Sequence, residues 1–88
     1  MAKETSWEVY IIQAKSGKLY TGITTDLDRR FAMHKTGQKG ARFFRFSSAE
    51  TVLFREPHPD RSTATKREIS IKKMSRAEKL ALVDLYTV

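Results

Sequence analysis

The chain contains no cysteine among its 88 residues, which excludes disulfides and thiolate metal sites. It has no apolar run long enough to span a bilayer, and its start, MAKETSW, lacks the pattern of a signal peptide, so we expect a cytoplasmic protein with no membrane contact. Acidic residues are scarce: 10 Asp and Glu stand against 17 Lys and Arg, for a net charge of +7. Such a surplus on a short chain favours a polyanionic partner, nucleic acid first, although a basic surface that binds nothing has the same composition.

The first half of the chain predicts a β-hairpin followed by a helix. Residues 7–13 and 19–24 are rich in aromatic and β-branched residues, and the segment AKSGK between them predicts a turn. Asp26 can cap a helix that runs to about residue 35. Two glycines then interrupt the chain, and residues 41–46 fit either a short helix or an irregular basic loop.

The second half predicts one more strand and two helices. Residues 51–55 favour a strand that is ended by the two prolines behind it. Ser62 or Thr63 can cap a helix that runs to about residue 74. The segment SRAEKLALVDLY opens with the serine and glutamate of a capping box, which predicts a last helix.

These elements together predict the fold class. We expect one α/β domain over residues 1–88, with a small three-stranded, largely antiparallel sheet flanked by helices. His58 lies between the two prolines and is expected to be a solvated loop residue.

The first predicted helix carries two polar residues beside its apolar stripe. At about 100° per residue, Leu27 and Phe31 share one line, while Arg30 and His34 share another line on the shoulder of that stripe. Their side chains should emerge near the seam between helix and sheet. The alternative is that Arg30 is a surface charge and His34 an ordinary, partly buried histidine.

The helix that follows the third strand places a carboxylate in its apolar stripe. Ala64, Glu68 and Ile71 follow the i, i+4, i+7 rule. Burying a carboxylate is costly unless it meets a cation or a donor, so Glu68 needs a partner: Arg30, a lysine or a metal ion. An internal salt bridge and a metal site are both open, because Mg²⁺ often takes only one or two protein carboxylates, with water and phosphate completing its shell.

The residues resemble the GIY-YIG nuclease family. Its two half-motifs are matched by EVY at residues 8–10 and by YTG at residues 20–22, and the later residues of its pattern by Arg30, His34 and Glu68. Stretches such as KLYTGITTDLDRR are similar to the small stand-alone YhbQ-like branch of that family. The chain departs from the first half-motif by a glutamate in place of glycine and a valine in place of isoleucine.

The resemblance implies hydrolysis of phosphodiester bonds with one divalent ion, Mg²⁺ or Mn²⁺, held by Glu68. Arg30 would stabilise charge on the phosphoryl oxygens. A tyrosine, Tyr10 first, would position or deprotonate the attacking water, provided that Arg30 and the metal lower its pKa. Tyr20 and His34 would orient phosphate or share the proton.

The hairpin gives a physical reason for the second half-motif. On adjacent antiparallel strands, Tyr10 and Tyr20 can project from one face of the sheet. Gly22 would clear that face, so that a phosphate backbone or a helix can approach closely. The alternative for both tyrosines is ordinary sheet packing, because tyrosine favours strands.

Cations and aromatics alternate in the segment HKTGQKGARFFRF, which suggests a path for nucleic acid, DNA before RNA. At least two of its three phenylalanines are expected to be core. The expected backbone contacts from this segment and the following helix are Lys35, Lys39, Arg42, Arg45 and Lys73.

Two functions from different classes remain open on the sequence. One is a metal-dependent DNA nuclease with a role in repair or recombination; the other is a non-catalytic nucleic-acid-binding module with the same fold. A protein-interaction adaptor is a weaker third. No second DNA-binding domain is recognisable in the sequence, so a partner protein could supply specificity, and the sequence leaves the oligomeric state open.

Overall fold

The computed structural model describes residues 6–36 and 49–86. Three strands and three helices follow one another as β1 (Trp7–Ala14), β2 (Leu19–Thr24), α1 (Leu27–Thr36), β3 (Ala49–His58), α2 (Arg61–Lys72) and α3 (Arg76–Tyr86). The strands form one antiparallel sheet in the order β2-β1-β3. The predicted α/β fold is therefore confirmed, while residues 41–46 lie outside the described residues.

The β1–β2 hairpin turns on a glycine. Gly17 has a φ of +92°, a left-handed conformation that glycine adopts without steric cost. Its amide donates to the Ala14 carbonyl at 2.8 Å, and the Ala14 amide donates to the Lys18 carbonyl at 2.9 Å. This short connection sets the register, in which Tyr10 lies opposite Gly22.

Strand β3 is longer than the sequence predicts. The predicted strand, 51–55, grows at both ends to Ala49–His58, and it passes through Pro57 instead of ending before it. Within the described residues β3 pairs with β1 alone, so a proline nitrogen can face away from the ladder without removing one of its hydrogen bonds.

Alternate residues of the sheet pack on opposite faces. On one face, Tyr10 and Ile12 form a buried cluster with Leu27 of α1. On the other face, Val9 and Ile11 pack in a second cluster, whose remaining buried members are Phe54, Ala64, Ile71 and Val83, from β3, α2 and α3. The sheet is thus the middle layer, with α1 on one side and α2 and α3 on the other.

Side-chain caps begin all three helices. The Arg29 amide donates to the Asp26 carboxylate at 3.1 Å, which confirms the predicted cap of α1. The capping box before α3 is also confirmed: the Ser75 amide donates to the Glu78 carboxylate at 2.8 Å, and the Glu78 amide donates to the Ser75 hydroxyl at 3.2 Å.

The predicted cap of α2 was wrong. Asp60 caps this helix, and its carboxylate accepts from the Thr63 amide at 2.9 Å. The backbone of Asp60 is extended, with a φ of −155°, as a capping residue requires, whereas Ser62 and Thr63 already lie inside the helix.

None of the helices in the described part of the chain is long and apolar enough to cross a membrane.

Candidate active site at the hairpin and the first helix

Tyr10 and Tyr20 project from the same face of the hairpin. Tyr10 pairs with Gly22 and Ile12 pairs with Tyr20, so both phenols point toward α1. Their ring centroids lie 6.2 Å apart. They differ in access to solvent, because Tyr10 is only 1% exposed whereas Tyr20 is half-buried.

Gly22 makes room for the Tyr10 ring. A β-carbon on Gly22 would lie 2.5 Å from the Tyr10 hydroxyl oxygen, 2.7 Å from Cζ of that ring and 3.1 Å from Cε2 of Tyr20. We expected Gly22 to leave space for a substrate backbone or a helix. The structure corrects this, because the Tyr10 ring of the neighbouring strand fills that space.

His34 brings α1 into contact with both phenols. Its side chain is fully buried, and its Nε2 atom lies 3.1 Å from the Tyr10 hydroxyl oxygen. The imidazole also meets the Tyr20 ring edge-on, with centroids 5.4 Å apart. Burial, helped by the nearby Arg30 cation, lowers the pKa of His34 to about 4, so the ring is neutral at pH 7. His34 is therefore fully buried, where the sequence suggested partial burial as one alternative.

Arg30 lies half-buried one turn before His34, near enough to the Tyr10 phenol for its positive charge to favour the phenolate. Even so, burial raises the pKa of Tyr10 to about 12, and the neighbouring Tyr20 phenol adds to the rise while Arg30 opposes it. The expected lowering by Arg30 is thus outweighed by desolvation. In the tautomer of neutral His34 that leaves Nε2 unprotonated, the Tyr10 hydroxyl donates to Nε2.

An open pocket of about 290 Å³ lies beside Arg30. Its wall comes from the end of β2 and the first two turns of α1, and its lining residues are Thr24, Thr25, Asp26, Arg29, Arg30 and Met33. The Arg30 guanidinium therefore faces the buried tyrosine and an accessible space at the same time. Such a pocket gives an anionic group access to the guanidinium.

Glu68 of α2 acts on the same phenol through its charge. Its charge is among the lesser contributions that raise the pKa of Tyr10, after burial and Tyr20. The carboxylate is 18% exposed and pairs with Lys72 at 3.3 Å, one turn along the same helix. Of the partners that the sequence leaves open, the described residues thus show a lysine.

One carboxylate, that of Glu68, is enough for a hard divalent cation that takes few of its ligands from the protein. No group of three or more histidine, aspartate or glutamate side chains suitable for a metal occurs among residues 6–36 and 49–86. A single, partly exposed carboxylate nevertheless suits Mg²⁺, which keeps several waters and takes oxygens from substrate phosphate. Glu68 therefore has the ligand chemistry that the ion implied by the resemblance requires.

The glutamate that replaces the first glycine of the motif has a partner that sequence reasoning missed. Both carboxylate oxygens of Glu8 accept from Arg55 of β3, at 2.9 to 3.1 Å. Arg55 lies opposite Tyr10 in the β1–β3 ladder and hence on the same face. Only the strand register reveals this pair, because 47 residues separate its two members.

The predicted nucleic-acid contacts are not assembled by the described residues. Lys35 belongs to α1 and Lys73 is the exposed C-cap of α2. Lys39, Arg42 and Arg45 lie outside the described residues, so their role stays a prediction.

His58 is not the solvated loop residue that its flanking prolines suggest. It ends β3 and is half-buried, with Nε2 at 2.7 Å from the Glu56 carboxylate and Nδ1 at 3.2 Å from the Thr63 hydroxyl. Arg67 also donates to Glu56, at 3.1 Å. This network ties the end of β3 to α2, on the sheet face away from Tyr10.

Comparison with known proteins decides the family. The model of the GIY-YIG catalytic domain matches residues 6–81. The chain belongs to the GIY-YIG family. That membership places it among nuclease domains, in agreement with the half-motifs on β1 and β2.

Small UPF0213 proteins are similar to this GIY-YIG chain over nearly its whole length. A UPF0213 protein of Desulfotalea psychrophila is 46% identical over 89% of this chain and 71% of its own length. One from Cupriavidus pinatubonensis is 43% identical over 92% of this chain and 89% of its own. The solution NMR structure of a UPF0213 protein from Bacillus halodurans has a TM-score of 0.59 and 38% identity, covering 91% of this chain and 84% of that one. These relatives confirm the resemblance to the small stand-alone branch.

Proposed function

We propose that this GIY-YIG chain is a metal-dependent nuclease that hydrolyses phosphodiester bonds in DNA, acting as a single domain in DNA repair or recombination. One observation carries the proposal: Arg30 lies near the buried Tyr10 phenol and borders an open pocket. The Tyr10–His34 hydrogen bond holds this arrangement from the other side. A guanidinium fixed beside an accessible space is suited to binding a phosphate.

Arg30 is the residue that stabilises charge in this mechanism. Its planar fork can hold non-bridging oxygens of the scissile phosphate in the pocket, where negative charge grows as the bond breaks. The nearby Tyr10 phenol interacts with the Arg30 charge before substrate arrives. Such preorganisation is the main source of catalysis in phosphate chemistry.

The two tyrosines have different parts. Tyr10 is buried and its pKa of about 12 keeps it protonated at neutral pH, so it is a positioning residue that connects Arg30 to His34. Tyr20 is half-buried, and its phenol is the one that can meet the attacking water. His34 is neutral at pH 7 and supplies an acceptor to Tyr10. We therefore move the water-orienting role from Tyr10 to Tyr20.

Glu68 would hold the Mg²⁺ or Mn²⁺ ion. When bound, that ion supplies Lewis-acid stabilisation of the phosphoryl and leaving oxygens. Lys72, now the partner of Glu68, is 54% exposed and can swing away without leaving a buried charge. Lys35, Lys39, Arg42, Arg45 and Lys73 remain our proposed contacts to the nucleic-acid backbone.

A non-catalytic nucleic-acid-binding module is the second candidate. The observation in its favour is that the Glu68 carboxylate already has a cation on its own helix, at 3.3 Å. A binder would keep the basic surface and the net charge of +7 without needing a metal.

A cleavage assay separates the two candidates. Purified protein is incubated with single-stranded, duplex and branched DNA and with RNA, each with Mg²⁺, Mn²⁺ or EDTA. Cleavage that needs the metal and is lost in Arg30→Gln supports the nuclease, with Arg29→Gln, on the same pocket wall, as the charge-matched control. Binding without cleavage of any substrate would establish the module instead.

A further inference from the structure

A second basic pocket lies at the turn of the hairpin, away from the Arg30 pocket. It measures about 250 Å³ and is lined by Lys18 and Leu19 of the hairpin and by Arg76 and Lys79 of the first turns of α3. The tertiary fold thus gathers three cations around one open space.

The charges of this pocket are not neutralised by the residues that surround it. No carboxylate belongs to its lining as far as the described residues go, and neither lysine forms an ion pair with a described acid. Bringing like charges together is unfavourable unless an anion or water screens them. The pocket therefore favours an anionic ligand.

Arg76 is held in place by the turn itself. One Nη1–H donates to the Gly17 carbonyl at 2.8 Å, across 59 residues of sequence. The guanidinium has five N–H donors in a fixed fork, so the others are available to a ligand. A pre-positioned arginine with two lysines beside it is a combination that suits a phosphate group.

The position of the pocket points to the backbone of a nucleic acid. Lys18 precedes Tyr20 by two residues, which places their Cα atoms within about 7 Å. Leu19 and α3 belong to the sheet face opposite the tyrosines, so a nucleic-acid strand passes from Tyr20 to the pocket around β2, the outer strand of the described sheet. A nucleic-acid strand carries a phosphate every ~3.4 Å along the helix axis, so a strand that reaches Tyr20 has further phosphates near Lys18. We propose that Lys18, Arg76 and Lys79 form a phosphate-binding subsite that holds the nucleic-acid backbone outside the scissile bond.

This subsite rests on the proposed function in one respect, namely that the ligand is a nucleic acid. It does not require that the nucleic acid is cleaved. The test accordingly measures binding in EDTA. The anisotropy of a short fluorescein-labelled DNA strand is titrated with protein at several NaCl concentrations. The slope of log K against log salt then reports the number of phosphate contacts.

The informative variant is Lys18→Gln with Lys79→Gln, and its matched control is Lys15→Gln with Lys66→Gln. Both remove two charges, but Lys15 and Lys66 are exposed and lie outside this pocket. We expect the slope to fall by ~1.4–1.8 in the pocket variant and by less than ~0.5 in the control. Lys18→Gln alone, which leaves α3 untouched, should lower the slope by ~0.7–0.9.

Two outcomes overturn the subsite. One is a pocket variant whose melting temperature matches wild type and whose slope matches the control. The other comes from competition with an acidic peptide of the same charge as the DNA, at the same salt. If the peptide displaces DNA equally well from wild type and from the pocket variant, the pocket adds nothing to DNA binding.

The subsite and the nuclease can fail separately. If the slope falls as expected and no substrate is ever cleaved, the subsite stands and the nuclease does not. If Arg30-dependent cleavage is found and the slope is unchanged, the nuclease stands and the subsite does not.

Discussion

The Tyr10 hydroxyl oxygen lies 2.5 Å from the place that a β-carbon on Gly22 would occupy. The absence of a side chain at Gly22 therefore lets Tyr10 lie flat across the neighbouring strand. From there the phenol reaches Nε2 of His34 at 3.1 Å. The glycine of the second half-motif thus places the tyrosine of the first.

Gly22→Ala tests this relationship. The added methyl group forces the Tyr10 ring to move, so we expect a loss of about 1–3 kcal/mol in the free energy of unfolding, as for overpacking elsewhere. The Tyr10–His34 hydrogen bond should break and any DNA cleavage should fall. Urea unfolding and the cleavage assay measure the two effects.

Gly17→Ala is the control for that change. Gly17 has a φ of +92° and nothing within 4 Å of its β-carbon position, so alanine there costs about 1 kcal/mol through backbone strain alone. Cleavage should stay at the wild-type level. Equal losses of activity in the two variants would show that Gly22 acts only through stability.

Tyr10→Phe removes the hydroxyl and keeps the ring. Nε2 of His34 then loses its hydrogen bond to the Tyr10 hydroxyl, so we expect a loss of about 1–3 kcal/mol in stability. A double-mutant cycle with His34→Gln should give a coupling of about 0.5–3 kcal/mol by urea unfolding. Additive effects of the two changes would contradict a direct hydrogen bond.

His34 predicts a pH dependence of stability. Its pKa is about 4 in the folded state and 6.5 as a free side chain, so between these values the unfolded chain binds the extra proton. Stability should therefore rise with pH from about 4 to 6.5 and then level, with about 3 kcal/mol lost on full acidification.

Carboxylates also titrate in this range and change the stability, so the pH dependence of wild type is compared with that of His34→Gln. The difference between wild type and the variant isolates the histidine, and urea unfolding at a series of pH values measures it. A difference that does not change with pH would mean that His34 titrates near its ordinary pKa.

Glu68→Gln separates a metal ligand from a structural ion pair. Because Lys72 is more than half exposed, losing this pair should cost less than about 1 kcal/mol. We expect thermal melts close to wild type, DNA binding in EDTA intact and metal-dependent cleavage lost. Lys72→Gln breaks the same pair and leaves the carboxylate, so it should still cleave. A large fall in stability in Glu68→Gln would instead identify Glu68 as a buried structural charge.

The sequence by itself determined the local elements and the family. The capping box of α3, the cap Asp26 and the turn glycine involve residues within a few positions of one another, so their signals are short-range and legible in the chain. The spacing from the half-motifs to Arg30, His34 and Glu68 identified the family, because spacing along the chain can be read without knowing the fold.

Burial and contacts between distant segments decided the rest. Tyr10 and His34 are 24 residues apart, and only packing shows that burial outweighs Arg30 and raises the pKa of the phenol. Packing likewise made His58 part of a network and let β3 run through its proline at the sheet edge. The basic pocket at the hairpin turn is of the same kind, since the hydrogen bond from Arg76 to Gly17 spans 59 residues. Desolvation and edge position depend on which elements lie against each other, and that is a property of the folded chain.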